Sequence, residues 1–212
     1  MVFLPKDAAD SCIRRARRFL DLAGKPLSDS KARNDLRRMA LVMSVAAIDS
    51  YMHALVLRRL ADVRRAADLP KALSKLDLPF SQLADLADAA NAAQRQKKRS
   101  RPWVQVKAAL QERLLTETFQ SFEQVATALS MTGIKEAWRK IADELGETSQ
   151  ENKDWLNRLV HRRNQVVHEG DLKRAARPRK LKFNDIDPSS VKQDVDWMEA
   201  LIDAIDKVVA AE

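Results

Sequence analysis

Cysteine is almost absent from this 212-residue sequence, in which Cys12 is the single example. One thiol cannot form a disulfide within the chain and cannot supply a cysteine-rich metal site. A reducing compartment fits this composition. Apolar residues make up 45% of the chain and charged residues 32%, a balance typical of a globular protein and not of a disordered or membrane protein.

A long hydrophobic run is also missing. The longest apolar stretch, residues 39–48, is far shorter than the roughly 20 residues needed to span a bilayer. The first residues, MVFLP, lack the charged start and the apolar centre of a signal peptide. The sequence therefore predicts a soluble, cytoplasmic protein with no membrane association.

Glycine is rare and strand-like patterns are missing. The four glycines and seven prolines fall mostly between helix-like stretches, where helices begin or end. No stretch combines sustained apolar–polar alternation with β-branched residues, as a strand would. We therefore predict an all-α fold, an antiparallel helical bundle built as one domain over residues 1–212.

The predicted helices follow from the spacing of apolar residues. A long second helix begins near residue 28 or 30 and should end before Pro70, because the residue preceding proline avoids the α conformation. Its middle is apolar almost all round, as in the central helix of a bundle. Residues 71–101 are expected to form a helical insertion that ends in a basic loop, and residues 171–188 a second basic loop. The other helices are predicted at 6–23, after Pro102 (with 119–129 as a stretch that could continue it), at 134–145, at 150–169 and after Asp187.

The net charge of +8 is concentrated in two short segments. Residues 94–102 and 172–182 carry eleven basic residues and no acid, and the rest of the chain holds 27 basic against 30 acidic residues. Clustered positive charge suits a polyanion such as nucleic acid. The alternative is that both segments are solvated loops. The candidate RNA-binding residues are Lys97, Lys98, Arg99, Arg101, Lys173, Arg174, Arg177, Arg179 and Lys180.

The helix predicted at 150–169 collects three polar groups near its C-terminal end. Its apolar residues form one stripe at about 100° per residue, and Arg163 falls near the middle of that stripe. Asn164 and His168 are four residues apart and share one face beside Arg163. Arg162 lies nearer the edge, where it can reach water. The apolar positions are Trp155, Leu156, Leu159, Val160, Val166 and Val167.

A purely structural role is the alternative for these residues. A guanidinium that faces a core must be paired and hydrogen-bonded, so Arg163 could be held by Asp49 of the long second helix. His168 could satisfy a carbonyl group at the helix end. Composition and periodicity leave both roles open, with Asp49 and Arg162 as candidate supporting residues of a site.

Metal and cofactor chemistry has little support in the sequence. His161 and His168 are seven residues apart, about 10 Å along one helix, which is too far for them to share a metal ion. No glycine-rich phosphate loop and no G-x-S-x-G nucleophile motif is present. We predict neither a metal nor a cofactor.

The string RNQVVH, residues 163–168, resembles the Arg-x4–6-His motif of HEPN domains. Its place near the end of a late helix, with a closing amphipathic helix after it, is similar to that family's arrangement. The segment AIDSYMHALVLRRL, residues 47–60, is similar in character to the long second helix of the family. The whole layout resembles the RiboL-PSP branch, in which a bundle with inserted helices forms the entire protein. The insertion near 71–98 departs from the family pattern.

This resemblance implies a homodimer in which two motifs face each other, and cleavage of RNA without metal by attack of a 2′-hydroxyl on the adjacent phosphate. His168 would transfer protons, Arg163 would stabilise charge on the phosphate, and Asn164 would orient His168 or the phosphate. The resemblance also implies a toxin or phage-defence role restrained by an antitoxin or another regulatory protein. Two alternatives remain: a non-catalytic HEPN-like module that binds RNA, a nucleotide or a protein, and a structural bundle.

Overall fold

The computed structural model of the chain describes residues 4–26, 29–95, 102–174 and 180–212. Within these ranges the backbone forms eight α-helices and no β-strand, which confirms the predicted all-α fold. Two short 3-10 turns, Ala66–Asp68 and Leu73–Lys75, follow the second helix. The helices are α1 (Pro5–Gly24), α2 (Ser30–Asp62), α3 (Phe80–Arg95), α4 (Pro102–Leu114), α5 (Phe122–Thr132), α6 (Ala137–Leu145), α7 (Ser149–Glu169) and α8 (Pro188–Ala210).

Helix α2 lies at the centre of the bundle, where it contacts α1, α4, α5, α7 and α8. Val45, Ile48 and Met52 on this helix have no exposed surface. Burial of an aliphatic side chain of this size contributes about 1.5–3 kcal/mol, so the hydrophobic stabilisation of the fold is centred on α2. The prediction that the second helix is central is confirmed.

Helix α2 is also more apolar than the run 39–48 suggested. Among the described helices it alone is long and apolar enough to cross a membrane by composition, with a mean hydropathy of 1.7 over 18 residues. However, 56% of that window is buried inside the bundle. A core helix of a soluble protein satisfies the same criteria, and the burial agrees with that interpretation.

Helix α2 ends at Asp62, so it stops before Pro70 as predicted, but several residues earlier than the proline itself requires. The backbone becomes extended at Val63, and contacts from α4 hold it there. Trp103 Nε1 donates a hydrogen bond to the Val63 carbonyl at 3.1 Å, and Lys107 Nζ donates to the same oxygen at 3.3 Å. These tertiary hydrogen bonds compete with the continuation of the helix.

The segment predicted as a helical insertion contains the 3-10 turn Leu73–Lys75 and α3, which packs against α4. The stretch 119–129 belongs to a separate helix, α5, and does not continue α4. Ser121 starts this new helix, because its side chain accepts a hydrogen bond from Gln124 N while Gln124 Oε1 accepts from Ser121 N at 3.0 Å. Such a capping box is a helix start signal.

Helix α7 begins and ends at the residues that the sequence indicated. Glu151 N donates to Thr148 Oγ1 at 3.2 Å, and Thr148 N donates to Glu151 Oε2 at 2.7 Å, which forms a second capping box. At the other end Gly170 adopts the left-handed conformation with φ of 60°. Asp187 accepts a hydrogen bond from Ser190 N at 2.8 Å and opens α8.

Replacing Gly170 by alanine is expected to lower the free energy of unfolding by about 1–2 kcal/mol, since an L residue is strained at this positive φ. No atom lies within 4 Å of the added Cβ, so the whole effect is conformational. Gly24→Ala is the matched control, because Gly24 also ends a helix in open space but lacks a positive φ. It should be neutral or stabilising by up to about 1 kcal/mol. Urea unfolding followed by circular dichroism measures both, and equal effects would contradict the argument.

Candidate functional site at the end of the seventh helix

The last two turns of α7 are only partly covered, although Val166 still packs against the hydrophobic core. Leu156 and Leu159 are fully buried, whereas Val166 is half-buried and Val167 is 48% exposed. Arg163, expected in the middle of a core-facing stripe, is only half-buried and is reachable from solvent. That expectation is wrong, because the apolar periodicity continues beyond the part of the helix that other elements cover fully.

Arg163, Asn164 and His168 are brought together on this partly covered end. Arg163 Nη1 donates a hydrogen bond to Asn164 Oδ1 at 2.8 Å. His168 is exposed in the last turn, four residues after Asn164, so the two Cβ atoms lie about 5–6 Å apart. A guanidinium carries five N–H donors and an amide carries two. Among the described residues this hydrogen bond occupies one guanidinium donor, so the cluster presents further donors toward solvent.

Asp49 does not hold Arg163, so the proposed core pairing is wrong. The Asp49 carboxylate accepts hydrogen bonds from Phe119 N at 2.6 Å and from Gln120 Nε2 at 3.2 Å. Both donors belong to the connection between α4 and α5. Asp49 therefore fastens that connection to α2, and among the described residues it plays no part at the Arg163 cluster.

Arg162 is directed to a buried carboxylate and not to water. Its guanidinium forms a two-pronged ion pair with Asp171, in which Nη2 lies 2.9 Å from Oδ2 and Nη1 contacts Oδ1. Asp171 is 1% exposed and follows the helix-ending glycine directly. Arg38 of α2 is 8% exposed and donates to the same carboxylate through Nε. Two arginines from different helices therefore share one buried acid.

Burial by itself raises the pKa of Asp171, but hydrogen bonds from Arg162, Arg38 and Asn184 to its carboxylate outweigh this effect. The pKa of Asp171 therefore lies below its ordinary value, and the side chain is charged at neutral pH. No pattern in the sequence identified Asp171 as part of a site. Its position after Gly170 is the one local hint, and Arg38 is 133 residues away in the chain.

The Asp171 cluster closes the base of the second basic loop. Leu172 and Phe183 form an antiparallel bridge, and Lys173 N donates to Lys182 O at 2.7 Å. Asn184 N donates to the Asp171 carbonyl at 2.9 Å. On the other side, Asp171 N donates to Gln165 O, inside the motif helix. Residues 171–173 and 182–184, the described base of the loop, are thus fixed next to the turn that carries His168.

The described basic residues of this loop are exposed, and two of them have acidic partners. Lys173 Nζ lies 3.0 Å from Asp185 Oδ2, and Arg174 Nε donates to Glu169 Oε2 at 3.1 Å. Exposed ion pairs of this kind contribute about 0–1 kcal/mol, so a polyanion could displace them. Lys180 is exposed. The other predicted RNA-binding residues, Lys97, Lys98, Arg99, Arg101, Arg177 and Arg179, lie outside the described residues.

This arrangement suits an anionic ligand that exchanges protons during a reaction. The planar donors of Arg163 match the oxygens of a phosphate group, and the imidazole of His168 is a side chain that can act as a general acid or base. Both groups are accessible to solvent on one short surface. The basic residues of the adjoining loop add positive charge beside them.

Comparison with known protein families identifies the family of the chain. A model of the RiboL-PSP-HEPN family matches residues 10–211, nearly the whole sequence. No curated protein and no solved structure matches it. The family match covers the central helix α2, the motif-bearing helix α7 and the closing helix α8 together. The chain belongs to the RiboL-PSP-HEPN family.

Proposed function

We propose that this protein is a metal-independent endoribonuclease whose catalytic residues are Arg163, Asn164 and His168. The observation that carries the proposal is the solvent accessibility of the half-buried Arg163–Asn164 pair together with the exposed His168 at the end of α7. A structural role would instead bury the guanidinium against a carboxylate, as occurs for the neighbouring Arg162. A toxin or phage-defence role, restrained by a regulatory protein that covers this surface, belongs to the same proposal.

The proposed reaction needs two proton transfers, one from the attacking hydroxyl and one to the leaving oxygen. His168 accepts the proton of a ribose 2′-hydroxyl, and the 2′-oxygen then bonds to the adjacent phosphorus. The bond from phosphorus to the 5′-oxygen breaks, and this oxygen takes a proton from the imidazolium of His168 in a second protomer. The products are a 2′,3′-cyclic phosphate and a 5′-hydroxyl. Arg163 donates hydrogen bonds to the phosphate oxygens as negative charge develops there.

A second protomer is part of the proposal because the motif surface is incomplete for two proton transfers. Each chain offers one histidine at the end of α7, and the reaction needs both an acid and a base. Val167 beside His168 is 48% exposed, and Leu181 of the adjoining loop is 76% exposed. Apolar side chains that lie uncovered next to a polar site favour association with another protein surface.

The product chemistry provides the first test. We expect the purified protein to cut a mixed-sequence single-stranded RNA in excess chelator and to leave 2′,3′-cyclic phosphate ends, identified by mass spectrometry. Substituting 2′-deoxyribose at the cleaved position should abolish the cut, because the attacking hydroxyl is removed.

Loss of activity in chelator, or cleavage of the deoxy substrate, would contradict this mechanism. Binding of RNA without any cleavage across varied sequences would instead support a non-catalytic HEPN-like module. The same RNA in the absence of protein controls for spontaneous hydrolysis, which gives the same cyclic ends.

A further inference from the structure

A hollow of about 470 Å³ lies between the start of α2 and the chain segment that leads into α8. Lys31, Asn34, Asp35 and Arg38 line it from α2, and the opposite side is formed by residues 183–188, which include Phe183, Asn184 and the carboxylates of Asp185 and Asp187. This volume falls within the range of small-ligand pockets. The motif residues Arg163, Asn164 and His168 do not line it.

Phe183 forms an aromatic wall of this hollow and is 51% exposed. The ring is held in place from two directions. The guanidinium carbon of Arg38 lies 5.4 Å from the ring centroid, and the Phe183 backbone pairs with Leu172. A fixed, exposed aromatic face next to a basic loop is a suitable surface for stacking a nucleobase.

The polar lining supplies donors and acceptors in a small space. Asn34 Oδ1 accepts from Arg37 Nη1 at 2.8 Å, so its amide nitrogen is the group left to donate. Asp35 accepts from Arg38 Nη1 at 3.1 Å through one oxygen, and its side chain is 69% exposed, so the carboxylate can accept further hydrogen bonds. The mixture of amide, carboxylate and ammonium groups suits the edge of a base better than it suits a phosphate.

The hollow is connected to the motif through the buried cluster. Arg38 lines the hollow and also holds Asp171. Asp171 in turn pairs with Arg162 and donates its backbone N–H to Gln165 O. Arg38 and Asp171 therefore join the hollow to the turn, residues 170–172, that follows the motif helix.

We propose that this hollow binds one unpaired nucleobase of the RNA substrate, stacked on Phe183, so that the protein requires single-stranded RNA next to the cleaved bond. The inference rests on the proposed function for the position of the cleaved phosphate. A base in a duplex is stacked and paired, and it cannot enter the hollow without being unpaired.

Binding to an uncleavable probe tests the proposal separately from catalysis. The probe is a 12-nucleotide, fully 2′-O-methylated single strand that contains one 2-aminopurine, compared with the same strand in a duplex. We expect Phe183→Ala to weaken binding of the single strand by about 5- to 100-fold and to remove the fluorescence quenching that stacking causes. Duplex binding should change by less than about twofold.

Phe80→Ala is the matched control, because Phe80 is 84% exposed at the start of α3, does not line the hollow and loses the same aromatic ring. It should leave single-strand binding within about twofold of wild type. Phe183→Leu keeps the bulk against Arg38 but removes the aromatic face, and it should behave like Phe183→Ala. Phe183→Trp should retain both affinity and quenching.

Wild-type affinity in both Phe183→Ala and Phe183→Leu would overturn the inference, and so would equal losses for single-stranded and duplex probes. The two proposals fail in different ways. Phe183-dependent binding with no cleavage of ribose RNA would contradict the nuclease alone. Cleavage of ribose RNA with no dependence of binding on Phe183 would contradict the base site alone.

Discussion

Replacing His168 by alanine is expected to lower the rate of RNA cleavage by about 10²–10⁴-fold, the usual contribution of a positioned acid or base. The imidazole is exposed at the end of α7 and one turn from Asn164, so its loss removes proton transfer without opening a cavity in the core. The free energy of unfolding should therefore change by less than about 0.5 kcal/mol. Single-turnover cleavage of a labelled RNA and urea unfolding measure the two quantities.

His161→Ala provides the matched control for this variant. His161 is also exposed on α7, two turns before His168, and it lies outside the cluster with Arg163 and Asn164. We expect its cleavage rate to stay within about twofold of wild type. Equal activity of the His168→Ala protein would remove the basis of the proposed mechanism. A fall in both variants alike would indicate a general effect on α7.

Helix ends were the feature that the sequence predicted best, because they depend on local chemistry. The box of Thr148 and Glu151 and the cap of Asp187 on Ser190 each span three residues, and the left-handed Gly170 closes α7 by a hydrogen bond to Gln165, five residues earlier. Such signals are complete in a short stretch of chain. The prediction of α7 was therefore correct to one residue at its start.

The degree of burial along a helix could not be predicted from periodicity. Apolar spacing continues through Val166 and Val167, yet Leu159 is the last fully buried residue of the helix, Val166 is half-buried and Val167 is 48% exposed. Periodicity states which side of a helix is apolar, but the length over which neighbours cover that side is a tertiary property. For this reason Arg163 was expected to face the core, whereas its side chain is half-buried and accessible to solvent.

Side-chain pairs between segments that are far apart in the chain could likewise not be predicted from the sequence. Asp49 was expected near Arg163, but it is used by the α4–α5 connection 70 residues away. Arg38 and Asp171 carry no local pattern that links them, although both are almost fully buried. The ion pairs of Asp171 with Arg38 and Arg162 form only when α2, α7 and the segment after α7 pack together. No local pattern in the sequence predicts that packing.

The buried cluster also explains how an exposed site can keep a defined geometry. Asp171 is connected to α2 through Arg38, to α7 through Arg162 and to the basic loop through Asn184. The motif residues Arg163, Asn164 and His168 lie in the last two turns of α7, directly before this cluster. The charged cluster therefore supports the arrangement of the motif residues. Its stability should determine how well the end of α7 keeps its position.

Replacing Asp171 by asparagine is expected to lower the free energy of unfolding at pH 7 by about 3 kcal/mol. The change removes the buried counter-charge of Arg38 and leaves it only the largely exposed Asp35, and breaking a buried pair costs about 3–5 kcal/mol. Asparagine tolerates the left-handed backbone at this position, where φ is 57°, so the effect reports charge and not strain. Asp185→Asn is the control, because Asp185 is 98% exposed and should change stability by less than about 0.5 kcal/mol.

The loss of unfolding free energy in Asp171→Asn should become smaller as the pH falls. The pKa of Asp171 is lowered in the folded protein, so its stabilising contribution is complete above the unfolded-state pKa of about 3.9 and is lost as the pH falls through the lower folded value. The difference in unfolding free energy between wild type and Asp171→Asn should therefore be constant from pH 7 to about pH 5 and shrink below about pH 4. Urea unfolding across this range measures it. A difference that persists unchanged at the lowest pH would mean that the carboxylate charge does not hold the cluster together.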